Sequence, residues 1–323
     1  MTGLLGVPRL RLATLPTPLL PAPRLSEAVG VEVWLKRDDL TGLGLGGNKA
    51  RGLEYLLADA GRDGCDILVT GGGPQSNWAM LAALAARIAG MESVLVNSGS
   101  RPEGPPAGNH ALAVLAGAEL RFTGEDDRSS VDRGVDEMCA RLRARGRRPY
   151  GVHRGGATGV GALGYVAAGL ELMSQLVENG CRARQLWLAT GSCGTQAGLT
   201  AAAAWLRPPF EVIGVTVSRP AAEARHRVAR IAAEAAAILG TPGPEGVPRV
   251  VGGFGGPAKG RRTREGDEAT ALVARAEGVF LDPVFGAKAM AGLLASARGG
   301  TDVAVEGPVV FLVTGGAPTL FTP

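Results

Sequence analysis

Aromatic side chains are scarce in this chain of 323 residues, at 4% of its composition. A groove that holds nucleic acid combines basic side chains with aromatic faces on which bases stack. The net charge of +4 comes mostly from scattered arginines. Their one local concentration, Arg141-Leu-Arg-Ala-Arg-Gly-Arg-Arg148, reads as a solvated helix end, where cations suit the dipole. No nucleic-acid partner is expected. Cysteine is equally thin. Cys65, Cys139, Cys181 and Cys193 lie far apart and form no CxxC pair, so neither a metal site nor a disulfide framework is expected. No apolar run reaches about 18 residues without a charge or a turn signal, so no membrane span is expected. Prolines and arginines interrupt the stretch from Leu4 to Leu20 and break any signal-peptide pattern. These absences point to a cytoplasmic protein with reduced thiols.

What remains is a globular composition, 46% apolar and 20% charged, long enough for about two domains. Prolines at 8, 16, 18, 21 and 23 make the first 30 residues an extended arm. Apolar runs at 31–35, 66–70, 93–97, 185–190, 212–217 and 309–313 predict strands. Helical patterns follow Lys49 and cover 75–89, 109–116, 126–145, 165–178, 197–206, 221–239 and 287–297. Strand alternating with helix predicts an α/β fold, a parallel sheet covered on both faces. Residues 155–164 are too glycine-rich for a regular element and read as a crossing between domains, and 252–260 read as another flexible stretch.

The segment Leu35-Lys-Arg-Asp-Asp-Leu-Thr-Gly-Leu-Gly-Leu-Gly-Gly-Asn-Lys49 delivers one lysine at the end of a glycine turn, directly ahead of a helix. Glycine there permits tight backbone turns and close approach to a ligand. A lysine so placed suits an amine that must meet a carbonyl carbon. Alone, it also fits a solvated lysine at a helix start. The loop Gly191-Ser-Cys-Gly-Thr-Gln196 joins a strand to a helix, as an anion cradle would. It lacks the lysine of GxxxxGK[ST] and the GxGxxG of a dinucleotide fold, and alone it also fits an ordinary tight turn. Taken together, the amine and the cradle match what pyridoxal phosphate needs: a Schiff-base lysine, donors for a phosphate, and a partner for the ring nitrogen.

The sequence resembles the D-cysteine desulfhydrase and 1-aminocyclopropane-1-carboxylate (ACC) deaminase family, pyridoxal-phosphate enzymes of the tryptophan synthase β fold (fold type II). The resemblance runs from about Leu35 to Phe321. It is carried by Lys36-Arg-Asp-Asp-Leu-Thr-Gly42 with Gly46-Gly-Asn-Lys49, Gln75-Ser-Asn77, Gly155-Gly156 with Gly161-Ala-Leu-Gly-Tyr165, Asp282-Pro-Val284 with Lys288-Ala-Met-Ala-Gly292, and Thr314-Gly-Gly316. It implies two doubly wound domains with parallel-rich sheets, a small one over 52–155 and a large one from 1–51 and 156–323, in a homodimer. It also implies that Lys49 holds pyridoxal 5'-phosphate and moves the substrate's α-proton. Asn77 would bond the cofactor's phenolic oxygen. Ser76, with the amides around Asn77 and Trp78, would receive the substrate carboxylate, and Ser76 would be placed to relay a proton. Gly191, Ser192, Cys193, Gly194 and Thr195 would hold the phosphate, and Thr314 would stand near the ring nitrogen as a neutral partner.

Departures from the family pattern narrow the reaction. Where ACC deaminases place two tyrosines, this chain has Phe254, in Gly253-Phe-Gly255, and Phe285, followed by Gly286. Neither can donate a proton or act as a nucleophile, which argues against opening a cyclopropane ring. Trp78 replaces a smaller polar residue and either narrows the substrate pocket or fills the core. His153 is a candidate donor for a leaving group. The expected reaction is α-proton abstraction and β-elimination on a small amino acid, with a sulfur leaving group, releasing a 2-oxo acid and ammonia. A β-replacement synthase, an ACC deaminase and a catalytically inactive relative are the alternatives.

Overall fold

Apolar runs of five or six residues are long enough for a buried strand and too short for a buried helix, and they set the sheets. In the computed structural model, residues 3–256 and 260–322 are described. Residues 257–259, within the stretch expected to be flexible, lie outside them. In chain order the elements are β1 (Leu19–Pro21), α1 (Pro23–Val29), β2 (Val33–Arg37), α2 (Lys49–Arg62), β3 (Ile67–Gly72), α3 (Asn77–Ile88) and β4 (Glu92–Asn97). There follow α4 (Gly108–Leu115), β5 (Glu119–Phe122), α5 (Ser129–Arg143), β6 (Pro149–Gly151), α6 (Gly159–Glu178), β7 (Gln185–Thr190), α7 (Gly194–Leu206) and β8 (Glu211–Thr216). The chain closes with α8 (Ala221–Leu239), β9 (Arg249–Val251), α9 (Arg264–Glu277), α10 (Gly286–Ala297) and β10 (Val309–Val313).

Two sheets result. One has the order β5-β4-β3-β6 and is parallel throughout. The other has the order β1-β2-β10-β7-β8-β9 and is parallel except for β1, which runs antiparallel along β2. In the larger sheet β7 continues to β8 on one side and pairs with the last strand, β10, on the other. Connections therefore diverge between β7 and β10.

The structure corrects the reading of three segments. The proline-rich arm is more than an extended strap, because Leu19–Pro21 pairs with β2 and Pro23 starts α1. Residues 155–164 are not wholly irregular. The Thr158 hydroxyl accepts from the Gly161 amide at 3.1 Å, and the helix runs from Gly159. Glycine is needed there for packing. A Cβ on Gly164 would lie 2.3 Å from the Arg51 carbonyl oxygen, so α6 and α2 touch backbone to backbone. Third, α7 begins at Gly194, three residues before the helical pattern becomes visible. Helix α6 is also long and apolar enough to cross a membrane by length and composition alone. It is apolar because α2, α7 and α8 cover it.

A buried set of charges joins these pieces. Arg51 forks onto Asp38, Nε to Oδ2 and Nη2 to Oδ1, both at 2.8 Å. It also forks onto Glu171, with Nη1 to Oε2 at 2.9 Å and Nη2 to Oε1 at 2.8 Å. Lys36 completes a neutral quartet, bonding Glu171, Gln175 and the Thr17 carbonyl. Tyr165 and Thr17 donate to Asp38. Burial pushes the Asp38 carboxyl up, but the Arg51 guanidinium and these donors outweigh it and hold the group below its ordinary range. Nearby, Glu54 on α2 receives the amides of Leu12 and Ala13, each at 2.9 Å, and so docks the arm.

Breaking a buried pair by removing one partner leaves an uncompensated charge and costs about 3–5 kcal/mol. Arg51→Met is expected to lose that much in urea unfolding. Arg62→Ala, which breaks solvent-screened pairs with Asp59 and Asp63, is expected to lose far less. Equal losses from the two variants would show that the quartet adds nothing special.

Candidate active site

Segments leaving the carboxyl ends of β7 and β10 meet the glycine turn ahead of α2. Open α/β sheets bind ligands outside the carboxyl ends of their strands, where connections diverge. Gly191 follows β7 and Thr314 follows β10, so both stand at that point.

The turn that presents Lys49 is fixed from three sides. The Thr41 hydroxyl accepts from the Gly47 amide at 2.8 Å and donates to the Gly47 carbonyl at 2.9 Å. The Asn48 amide donates to the Thr314 carbonyl at 3.0 Å, and Asn48 Nδ2 donates to Thr195 Oγ1 at 2.9 Å. Gly46 and Gly47 have φ of 75° and 134°, and a Cβ on Gly46 would fall 1.8 Å from the Asp39 carbonyl oxygen. Lys49 is half-buried. Loss of hydration pulls its amine down to about 8, and the neighbouring Cys193 opposes that only in part. A neutral amine is therefore within reach at physiological pH.

The loop ahead of α7 is shaped for an anion. Cys193 has φ of 78°, uncommon for a residue with a side chain, and it immediately precedes the helix. Arg219 Nε donates to the Gly191 carbonyl at 3.0 Å and Arg227 Nε to the Ser192 carbonyl at 3.1 Å. These bonds occupy the loop's carbonyls, and the amides at the helix start stay available to a ligand. The Cys193 thiol is pushed up by burial. A Cβ on Gly155 would lie 2.5 Å from Ser192 Cβ, so the crossing segment closes on the loop.

Ser76 caps α3, its Oγ accepting from the Ala79 amide at 3.2 Å, which leaves the hydroxyl hydrogen free to donate. The amides of Asn77 and Trp78 are first-turn donors of the same helix. The Asn77 side chain reaches toward Gly316, where a Cβ would meet Nδ2 at 2.6 Å. Thr314 is buried, and its hydroxyl has no partner among the described residues. Beside Gly316, Asp282 accepts the amides of Val284, Phe285 and Gly286 at 3.1, 2.9 and 2.7 Å. Burial still pushes its carboxyl up to about 6.

Other candidates are placed differently. The Trp78 ring is not a pocket wall. It is 4% exposed, donates from Nε1 to Thr70 Oγ1 at 2.7 Å, and packs where a Cβ on Gly156 would collide with it. Only its backbone amide remains at the site. His153 is exposed and pairs with Asp136 at 2.9 Å. Phe285 does reach the loop, its ring edge 2.8 Å from a Cβ built on Gly191. Phe254 packs against the same core, on a loop held by Lys288 Nζ bonding the Gly255 carbonyl at 2.7 Å. Sequence reasoning missed Asn48, Asn109, Arg219 and Arg227, which act through backbone or amide groups and have no distinctive spacing.

The model of the family described as pyridoxal-phosphate dependent enzymes matches residues 10–315. A D-cysteine desulfhydrase of Yersinia enterocolitica is 41% identical over 319 residues, covering 97% of this chain and 95% of that one. A Pyrococcus abyssi protein provisionally named as an ACC deaminase is 38% identical over 315 residues, covering 97% and 93%. The crystal structure of an ACC deaminase homologue superposes with a TM-score of 0.90 at 34% identity, covering 98% of this chain and 94% of that one. The residues present suit the cofactor of that family. They offer an amine of lowered pKa, free amides at a helix start, an unpartnered threonine hydroxyl, and walls of glycine backbone that let a flat ring approach.

The Lys49 environment has a signature in the protein without cofactor. The ordinary lysine value is 10.5 and the folded value about 8. Between those values the unfolded chain binds a proton that the folded chain does not, so stability rises with pH across the window. Below pH 8 the folded state carries the full cost. Lys49→Met is therefore expected to be more stable than the parent at pH 7, by on the order of 2 kcal/mol, with the gap closing toward pH 10.5. A gap in urea unfolding that ignores pH would contradict this.

Proposed function

The chain belongs to the pyridoxal-phosphate dependent enzymes, in the group of the D-cysteine desulfhydrases and ACC deaminase homologues, and on that footing we propose that it acts on D-cysteine or a related cysteine-type amino acid. The product is a 2-oxo acid, with release of ammonia and a sulfur leaving group. One observation carries the reaction class: the half-buried Lys49 amine, lowered to about 8, beside an anion loop. The cofactor, when bound, supplies an electron sink conjugated to the substrate nitrogen.

In this proposal Lys49 Nζ anchors the cofactor and then takes the substrate's α-proton, which needs the neutral amine that burial favours. The Ser76 hydroxyl and the amides of Asn77 and Trp78 hold the substrate carboxylate at the positive end of α3. The amides from Gly191 to Thr195 hold the phosphate. Thr314 offers the ring nitrogen a neutral partner, which favours prompt expulsion of a β-substituent over a long-lived carbanion.

The walls choose the leaving group. Phe254 and Phe285 bring no proton near the loop, and His153 points elsewhere. A thiol, with an ordinary pKa of about 8.5, departs as thiolate without a strong acid. A hydroxyl does not. Phenylalanine stands at both positions where cyclopropane opening would draw on a tyrosine, so ACC deamination is not proposed. The setting proposed is a cytoplasmic homodimer with no nucleic-acid or membrane partner. A solution mass of one 32.9 kDa chain would overturn the dimer.

Cofactor-loaded protein given D-cysteine is expected to release sulfide and 2-oxo acid in equal amounts, with D-serine slower by about 10²-fold or more. Lys49→Ala should lower the rate by about 10³-fold. Failure to form a 2-oxo acid from any cysteine-type substrate would refute the proposal.

A further inference from the structure

Asn77 can serve a phenolic oxygen only if its amide presents nitrogen, and something must decide which way that amide faces. The decision can be traced to a backbone carbonyl. Gln75 O, an acceptor only, lies 3.1 Å from one end of the buried Asn109 side chain. That end must therefore be the nitrogen, Nδ2. The same Nδ2 lies 2.5 Å from the Asn77 side chain, so the Asn77 atom it meets must be the oxygen, Oδ1. Asn77 is left with Nδ2 facing Gly316 and the segment after β10.

Asn109 is itself held rigidly. Its amide donates to Gln75 Oε1 at 3.0 Å, while Gln75 Nε2 donates to the Ala107 carbonyl at 3.0 Å. A Cβ on the preceding Gly108 would strike Gln75 Oε1 at 2.6 Å. The arrangement has a cost. Asn109 is 1% exposed, and its Oδ1 has no hydrogen-bond partner among the described residues, a loss of the kind that makes a buried amide unfavourable for stability alone. An orphaned acceptor tolerated beside two well-made donor bonds indicates that the donors are what the position supplies.

We propose that Asn109 is a positioning residue that locks the Asn77 amide with its nitrogen toward the cofactor's phenolic oxygen. The inference rests on the proposed placement of pyridoxal phosphate against Asn77. A donor at that oxygen favours its deprotonated form, so the lock lowers the pH at which the bound cofactor's visible band titrates. Without it, Asn77 is free to turn its oxygen toward the phenolic oxygen and repel it.

The test is a double-variant cycle on Asn77→Ala and Asn109→Leu, near-isosteric and uncharged at position 109. The readouts are the titration midpoint of the bound cofactor's band and the Kd of cofactor-free protein for pyridoxal phosphate. Asn109→Leu is expected to raise the midpoint by about 0.5–1 pH unit and weaken binding about three- to tenfold, the size of one oriented hydrogen bond. In the Asn77→Ala background the same change should add nothing. An unchanged midpoint in Asn109→Leu, or an equal effect with and without Asn77, would overturn the inference. If Asn77→Ala itself leaves both readouts unchanged, the placement of the cofactor against Asn77 fails instead. Should the leucine variant not fold, Asn109→Ala removes the same donors with a smaller side chain, and a shift in the same direction is expected. No shift there would overturn the lock as well.

Discussion

The Arg51 guanidinium, held in two forks between Asp38 and Glu171, is the interaction on which the rest of the structure depends. It ties α2 to the segment after β2 and to the middle of α6, and Lys36 and Thr17 bring in the strand and the arm. Lys49 lies two residues before Arg51 on the first turn of α2. Whatever fixes Arg51 fixes where that helix begins, and so where the amine stands. The quartet is neutral in sum and each of its charges has several partners, which is the condition under which buried ions are tolerated.

The site follows from close backbone approach. Gly47, Gly191, Gly315 and Gly316 leave room where side chains would collide with one another or with Phe285 and Asn77. Around that space the polar groups are divided by what they must do. The lysine loses hydration and becomes easier to deprotonate. Amides, not cations, face the anion position, with Arg219 and Arg227 set behind them on the carbonyls. In the proposed reaction the two phenylalanines offer the departing group no acid. The proposed chemistry thus comes from what the walls omit as much as from what they offer.

Much of this was legible in the chain. The apolar runs at β3, β7 and β10 have glycine close by on either side, and with β8 they read directly as buried strands, and the turn ahead of Lys49 and the loop ahead of α7 carry their glycines in plain view. The short strands β1, β6 and β9, of three residues each, were not legible. So few residues show no periodicity, and they become strands only because a neighbour completes their hydrogen bonds. The start of α6 was misread for the opposite reason. Its glycines lower helix propensity, yet they are required where α2 lies against it. Trp78 looked equally able to line a pocket or a core, since one side chain's direction on a helix is set by what packs on either side.

By itself the sequence determined the α/β alternation, the lysine on its glycine turn, the cradle without a lysine, and the loss of both phenolic hydroxyls. Those are properties of neighbouring residues, set by backbone sterics and side-chain chemistry. Only the tertiary structure decided the rest. It put Asn48 against Thr195, 147 residues away, gave Asn109 the orientation of Asn77, and turned Trp78 inward. It also lowered the Lys49 amine, because burial and hydrogen-bond direction depend on what the fold brings alongside.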